Sequence, residues 1–210
     1  MTPFVEQLVE VTLAEWEFFG RSTRSLADRW RVVGEEFDPP FIERVNQYWR
    51  VVGRPTLDGE SPDPWSGAFI SFCFEKAGAG RDFPKSAKHS VYVDRIRRAA
   101  ASKLRLADAR AEPVGVGDLI WNSRRGAATS QPPRDHGEAL ARLEAGDFFD
   151  SHVDIVVAVD PAAGACESVG GNVSNRSPGG SVTRSTWMVD AAGRLVDPRK
   201  TWIGVVRNGL

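Results

Sequence analysis

The chain has 210 residues, of which 41% are hydrophobic and 26% charged, and its formal net charge is −1. This composition is typical of a soluble globular protein with one sizeable core, and the near-zero charge gives no reason to expect a nucleic-acid partner. The two cysteines, Cys73 and Cys166, form neither a disulfide framework nor a metal-ligand spacing, so the sequence implies no metal and no cofactor.

The N-terminus lacks the basic segment, the apolar stretch and the cleavage site of a secretory signal. No run of about 18 apolar residues occurs, so no membrane span is predicted. We expect a protein that is cytoplasmic as synthesised, with export by a dedicated secretion or phage system left open. The sequence does not indicate the oligomeric state.

The first part of the chain has the hydrophobic pattern of helices. Apolar residues recur every three to four positions through residues 4–19, 22–33 and 41–52, and a glycine follows each run. The pattern predicts an N-terminal helical segment, residues 1–53, that packs on a main domain formed by residues 54–210.

The spacing of apolar residues in the main domain changes from a helical to a strand period about halfway along. A polar linker leads to two predicted helices, residues 64–77 and about 84–102. Residues 123–147 are predicted to be a polar surface excursion that contains His136. Strands are predicted at residues 118–122, 153–159, 165–169, 181–185 and 202–206. Helices followed by an antiparallel meander predict an α+β fold with a small antiparallel β-sheet.

Ser66 is the candidate nucleophile. It falls in the first turn of a predicted helix, where backbone N–H groups lack intrahelical partners and the helix dipole favours negative charge. Both effects stabilise the oxyanion of a tetrahedral intermediate. Trp65 on one side and the small Gly67 on the other leave room for a substrate carbonyl. The alternative is that Ser66 is an ordinary first-turn serine.

His152 and Asn172 are the candidate base and orienting residue. His152 begins an apolar strand, where an imidazole can face a cleft, and Asn172 follows two glycines at the end of the next strand. An amide there can accept the Nδ1–H of His152 and hold its tautomer. Asp154 is not expected to take that role, because it lies one step deeper on the same face of the strand. The alternative for His152, which is favoured when the residue is taken alone, is a capped, hydrogen-bonded surface histidine.

His89 and Tyr92 lie on the second helix of the main domain and are candidates for lining the same cleft. The alternative for His89 is a structural hydrogen bond. With Trp65 and Gly67, these residues complete the predicted substrate-binding set.

Four segments carry a resemblance to known enzymes. Residues 64–69 resemble the P-W-C-A-A-F nucleophile segment of CHAP-type and NlpC-type cysteine peptidases and amidases, with Ser66 in the place of cysteine. Residues 117–120 resemble their G-D strand, and residues 151–156 resemble their G-H-V-G-I-V histidine strand. Residues 170–173 resemble the G-G-N segment that carries their third catalytic residue. The four segments follow one another in the same order.

Together with residues 89–92, these segments look most like a bacterial domain family of unknown function that is related to those peptidases and carries P-W-S rather than P-W-C. The resemblance covers about residues 40–207. It implies a papain-like (NlpC/CHAP-like) fold, with Ser66, His152 and Asn172 as the catalytic group.

The predicted function is hydrolysis of an amide or peptide bond, in cell-wall peptide (peptidoglycan) or a related peptide. Ser66 would attack, His152 would act as base and then acid, and Asn172 would orient it. A hydroxyl needs its proton removed in the transition state, whereas a thiol beside an imidazole ionises near neutral pH. The alternative is therefore a catalytically inactive module that binds a peptide or glycan in the same groove. A third possibility is an exported toxin or lysin.

Overall fold

The computed structural model describes residues 1–125, 131–175 and 179–210. These residues form five helices: α1 (Pro3–Phe18), α2 (Phe41–Val51), α3 (Ser66–Lys76), α4 (His89–Arg98) and α5 (His136–Glu144). They also form eight strands: β1 (Ser22–Arg24), β2 (Trp30–Arg31), β3 (Leu104–Ala107), β4 (Leu119–Ser123), β5 (Ser151–Asp160), β6 (Ala165–Val173), β7 (Ser181–Met188) and β8 (Trp202–Asn208). The α+β class is as predicted.

The prediction of a small antiparallel sheet, as part of a papain-like fold, is wrong. The strands of the described residues form one eight-stranded sheet in the order β2-β1-β7-β6-β5-β4-β8-β3. The sheet is mixed, because β1 runs parallel to β7 while the other neighbours are antiparallel. It is larger than predicted because β1 and β2 extend it beyond β7, and β3 extends it beyond β8.

Residues 22–33 are not helical as predicted, since they contain β1 and β2. The unpaired edge of β7 offers backbone partners to this segment, and the buried hydroxyls of Ser22 and Ser181 share a hydrogen bond of 3.0 Å. The apolar residues of this short run match a helical period by chance. Strand pairing in the folded protein decides the structure instead. Residues 1–53 thus add strands to the common sheet, and their separation as a segment at residue 53 stays a prediction.

The two faces of the sheet bury different cores. Helices α1 to α4 cover one face, and side chains such as Val153 and Ile155 of β5 join them in the larger apolar cluster. The neighbouring Val156 points the other way, into a second cluster that contains Trp187 and Trp202. This alternation follows from the two-residue period of a strand, and it decides on which side of the sheet each candidate residue lies.

The predicted polar excursion contains a helix. Asp135 caps the start of α5, since its side chain accepts a hydrogen bond from the Glu138 N–H. His136 is therefore not simply solvated, because its Nδ1 lies 2.6 Å from the carbonyl oxygen of Ile203 in β8. Four of the nine residues of α5 are apolar and Asp135 is a favoured cap, so a local signal for this helix was present within the polar stretch.

Gly171 of β6 is the point at which the sheet and α3 come closest. A Cβ there would lie 2.5 Å from the Phe69 ring and 2.7 Å from the Trp65 ring. Both rings are buried in the larger core, so neither has space into which it can move. The glycine is required by this close approach of a helix to a strand.

Gly171→Ala is therefore expected to lower the free energy of unfolding by about 1–3 kcal/mol, because the added methyl overpacks the core. Gly137→Ala is the matched control. At Gly137, in the first turn of α5, the nearest atom to a Cβ is 3.4 Å away, so alanine is expected to raise stability by up to about 1 kcal/mol. Urea unfolding measures both, and equal effects would contradict the packing argument.

Candidate active site

Ser66 lies at the start of α3 with free donors beside it. The first backbone bond at this end of the helix runs from Phe69 N to Trp65 O, at 2.9 Å. Among the described residues, nothing accepts a hydrogen bond from the N–H groups of Ser66, Gly67 or Ala68. The helix starts two residues later than the proline at position 64 suggested. The Ser66 hydroxyl still lies in the first turn of the helix, where the helix dipole and the free N–H groups favour negative charge.

The Ser66 hydroxyl contacts His89, and His89 contacts Tyr92. The distance from Ser66 Oγ to His89 Nε2 is 2.7 Å, and that from His89 Nδ1 to the Tyr92 hydroxyl is 2.6 Å. When Ser66 donates to Nε2, His89 carries its proton on Nδ1 and donates it to the phenol oxygen. Tyr92 can accept this bond as a neutral phenol, since burial and the nearby charge of Asp154 hold its pKa well above the ordinary value.

His89 is held in its neutral form. Burial lowers its pKa well below the usual range, and the positive charges of His152 and Arg124 lower it further. A neutral imidazole with an unprotonated Nε2 can accept the Ser66 proton, as a general base must. The environment thus favours the protonation state that the contact with Ser66 requires.

Close packing places His89 against Ser66. A Cβ on Gly67 would lie 2.2 Å from the Ala87 carbonyl oxygen, so only glycine lets this segment cross the start of α3. The buried Ser71 hydroxyl contacts the Gly67 and Ser86 carbonyl oxygens at 2.9 and 3.1 Å, and the Ser86 N–H at 3.1 Å. The segment before α4 is thereby attached to α3 one turn below Ser66.

His152 has a different partner from the one predicted. Its Nε2 lies 2.8 Å from Asp154 Oδ1, and the other carboxylate oxygen of Asp154 accepts a bond of 3.0 Å from Ser168. Trp187 Nε1 in turn donates to Ser168 Oγ at 2.8 Å. The expectation that Asp154 is unsuited to orient His152 is wrong, because two residues on one face of a strand are close enough for the carboxylate to reach the ring.

This chain of bonds holds Asp154 as a carboxylate. Burial works against ionisation, but the charge of His152 and the hydrogen bonds from His152 and Ser168 outweigh it, so the pKa lies below the ordinary value. An ionised Asp154 accepts a hydrogen bond from the Nε2–H of His152, which leaves Nδ1 as the second ring nitrogen. No described residue forms a hydrogen bond with that Nδ1.

Among the described residues, no hydrogen bond joins His152 to Ser66. Val153 packs under the helices, so the side chain of His152 leaves the other face of the strand. The strand pairs with β6 only from Ile155 onward, which leaves residues 151–154 without a partner on that side. The rings of His152 and His89 meet near this opening, with their centroids 5.4 Å apart. His89 therefore contacts the serine through Nε2 and lies beside the second histidine.

Asn172 lines the cavity on the His152 side, but its side chain forms no hydrogen bond with the described residues. It has a φ of 57°, so the residue with left-handed backbone is the asparagine and not the glycines before it. Gly170 is instead required because the side chains of Asp154 and His152 pack directly against it. A Cβ there would lie 1.9 Å from Asp154 Oδ1 and 2.9 Å from His152 Nε2. The catalytic group Ser66, His152 and Asn172 stays a prediction, and the hydrogen bonds favour His89 as the partner of Ser66.

A cavity of about 460 Å³ opens over Ser66 and His89. Its wall combines aromatic, basic and acidic residues: Trp49, Phe148, Phe149, Arg54, Lys88, Arg124, Arg125, Asp63 and Asp150. Trp65 is 1% exposed and packs among core aromatics, with its Nε1 donating to Glu36. Of the four residues predicted to bind substrate, His89 reaches this cavity, whereas Trp65, Gly67 and Tyr92 support it from within.

Neither a metal-binding cluster nor a membrane-spanning helix occurs among the described residues. They contain no group of three or more His, Cys, Asp or Glu residues placed to hold a metal ion. Their helices include none with the length and apolar character needed to cross a membrane.

The chain belongs to a bacterial family described as "uncharacterized protein conserved in bacteria (DUF2272)", which it matches over residues 13–208. The predicted membership of a bacterial domain family of unknown function is confirmed. The match begins within α1 and so includes most of the N-terminal segment that the resemblance left out. No curated protein and no solved structure matches the chain.

The sequence contains a spacing signal for two of the side-chain pairs that the structure brings together. His89 and Tyr92 are three residues apart on a helix and therefore share a face. His152 and Asp154 are two apart on a strand, with the same consequence. The contact between Ser66 and His89 had no local signal, because it joins two helices that meet only in the folded chain.

Ser71→Ala is expected to lower the free energy of unfolding by about 1–3 kcal/mol, because it leaves the backbone groups of Ser86 without their partner. Ser90→Ala is the matched control. Both serines are at most 1% exposed, but the Ser90 hydroxyl has no hydrogen-bond partner among the described residues. Its removal is expected to change stability by less than about 0.5 kcal/mol or to increase it. Denaturant unfolding compares the two, and equal losses would refute the role given to Ser71.

Proposed function

We propose that this protein is a serine hydrolase of amide or peptide bonds in which Ser66 is the nucleophile and His89 the general base. The observation that carries the proposal is the 2.7 Å contact between Ser66 Oγ and His89 Nε2 in the wall of an open cavity. A hydroxyl becomes a nucleophile when a positioned base removes its proton in the transition state, and the contact meets that requirement.

The reaction would proceed in two halves. Ser66 Oγ attacks the carbonyl carbon while its proton passes to His89 Nε2. The tetrahedral intermediate then collapses, the C–N bond breaks, and His89 returns the proton to the leaving amine. In the second half His89 removes a proton from water, which attacks the acyl-enzyme and releases the acid and Ser66.

The negative charge of each tetrahedral intermediate falls beside the start of α3. The N–H groups of Ser66, Gly67 and Ala68 have no described acceptor, so they remain available to an oxyanion. Donors that are already oriented stabilise such a charge without reorganisation cost, and the helix dipole adds to the effect. Gly67 and Ala68 carry no bulky side chain that would block the approach.

Tyr92 would act through His89 and not on the substrate. The phenol is fully buried and accepts the Nδ1–H of the imidazole, which keeps the unprotonated nitrogen directed at Ser66. An aspartate in this position would also stabilise the imidazolium that forms during the reaction. A neutral tyrosine supplies only orientation, so the proposal predicts a slower enzyme than one with a charged third member.

The substrate class is proposed from the four sequence segments that resemble NlpC-type and CHAP-type peptidases and amidases. We propose a relationship to those enzymes at the level of the helix that carries the nucleophile and the strand that carries a histidine. On that basis the substrate is cell-wall peptide or a related peptide. The aromatic and charged residues around the cavity suit an extended polar chain better than a wholly apolar ligand.

Ser66→Ala and His89→Ala are expected to abolish labelling by a fluorophosphonate and to reduce hydrolysis of peptidoglycan-derived peptides by roughly 10³-fold and 10²–10⁴-fold, respectively. His152→Ala and Asn172→Ala are expected to cost less than His89→Ala, because neither side chain contacts Ser66. Mass spectrometry locates the label, and release of amino groups measures turnover.

The controls separate the possible outcomes. Ser90→Ala removes a neighbouring buried hydroxyl and is expected to keep labelling and turnover. If His152→Ala abolishes the reaction while His89→Ala retains it, the base is His152, as the sequence predicted. Binding of peptide or glycan without labelling or turnover would overturn the enzyme in favour of the inactive binding module.

The pH profile tests the state of His89. The base works unprotonated, so kcat/KM falls as the pH decreases through the His89 pKa. Because that pKa is lowered, the half-maximal point is expected below pH 6.5, the ordinary value for histidine. Arg124→Gln removes one of the positive charges and is expected to move this point to higher pH. Arg125→Gln is the control, and a half-maximal point at or above pH 6.5 in the unaltered protein would contradict the assignment.

A further inference from the structure

A second cavity, of about 290 Å³, lies on the His152 side of the sheet, and its charged lining is mostly basic. Arg24, Arg124 and Lys200 reach it, while Asp154 is its one acidic residue among the described lining. Both oxygens of Asp154 are already used by His152 and Ser168. Arg24 is also paired with Asp28, so Arg124 and Lys200 are the cations of the described lining that have no ion pair.

Arg24 is held rigidly with two nitrogens unused. Its guanidinium carbon lies 4.8 Å from the Trp30 ring centroid and 5.0 Å from that of Trp187, so it sits between two indoles. Its side chain is 10% exposed, and Nε is bonded to Asp28 at 2.6 Å. The two terminal nitrogens form no hydrogen bond with the described residues. An oriented guanidinium edge of this kind suits the planar, two-oxygen geometry of a carboxylate.

Lys200 and Arg124 supply the remaining charge. Arg124 follows β4 and Lys200 precedes β8, and these strands pair through Asn122 and Trp202, which brings the two cations to one end of the sheet. Neither has an ion pair within the described ranges. Burial lowers the Lys200 pKa; nearby Asp154 opposes this, while Arg24, Arg124 and Arg199 lower it further. Two cations placed together without an ion pair of their own, as Arg124 and Lys200 are, are stabilised when an anion binds between them.

Arg124 also lines the cavity above Ser66, so the two cavities share one residue. We propose that the cavity formed by Arg24, Arg124 and Lys200 is a subsite that binds a carboxylate group of the substrate. That the ligand is a substrate rests on the proposed function, whereas the anion site does not. In that arrangement one ligand would extend from Ser66 past Arg124, and an acidic group on it would neutralise the cluster.

The test measures binding without turnover. Full-length Ser66→Ala protein is titrated with N-acetylglycylglycine, with its C-terminal amide, and with inorganic phosphate, while NMR follows the indole N–H signals of Trp30 and Trp187. The acid is expected to bind at least about tenfold more tightly than the amide, and this difference is expected to shrink as salt is added. Lys200→Gln and Arg24→Gln are each expected to weaken binding of the acid by about fivefold or more.

Arg29→Gln is the matched control, since this exposed arginine is in the turn between β1 and β2 and its side chain has no ion pair in the described part of the chain. It is expected to leave binding unchanged. Because Arg24 is packed between tryptophans, Lys200→Gln decides the matter if Arg24→Gln fails to fold. Equal binding of acid and amide, or unchanged binding in Lys200→Gln, overturns the proposal. Tighter binding of phosphate overturns the assignment to a carboxylate.

The two proposals fail separately. If Ser66→Ala binds the acid but the unaltered protein hydrolyses no peptide, the anion site stands and the hydrolase does not. If turnover is found and the acid and the amide bind equally, the hydrolase stands without this subsite.

Discussion

The site depends on the close passage of residues 86–88 over the first turn of α3. The Gly67 backbone and the Ala87 carbonyl are too close for any side chain to separate them. The Ser71 hydroxyl then holds the passing segment through its contacts with the carbonyl oxygen and the N–H of Ser86. Since α4 starts at His89, these contacts determine where its imidazole lies. Without these contacts, packing would not direct the His89 imidazole toward the Ser66 hydroxyl.

Charge is arranged unequally around the two histidines. His89 is desolvated next to positive groups and is kept neutral. His152 has a buried carboxylate as its partner, and Asp154 is itself held by Ser168. A neutral imidazole beside a hydroxyl is suited to accepting a proton, whereas the Nε2–H of the second imidazole is already used in a bond to a carboxylate. The structure therefore argues against treating the two histidines as interchangeable.

The sheet connects these two environments. Alternation along β5 sends Val153 toward the helices and sends His152 and Asp154 toward the other face. Where β6 no longer pairs with β5, the two sides come into contact, and the imidazole rings approach each other. Gly170 and Gly171 suit this region because one gives space to the His152 and Asp154 pair and the other to the α3 aromatics. A larger residue at either position would push the layers apart.

Local pattern was enough to find several parts of this protein. The change from helical to strand period, the first-turn position of Ser66 and the strand that begins near His152 all follow from short-range spacing and turn residues. Short-range spacing did not predict the pairing of β1 with β7, the helix at residues 136–144 or the contact of Ser66 with His89. The strand pairing and the Ser66–His89 contact join groups that are distant in sequence, so they form only when the chain has folded. The helix had a local signal in the Asp135 cap, but it lies in a stretch that is polar as a whole. The sequence by itself determined which side chains are available for chemistry. Only the tertiary structure decided which of them meet, because packing at Gly67 and the alternation of β5 set their positions.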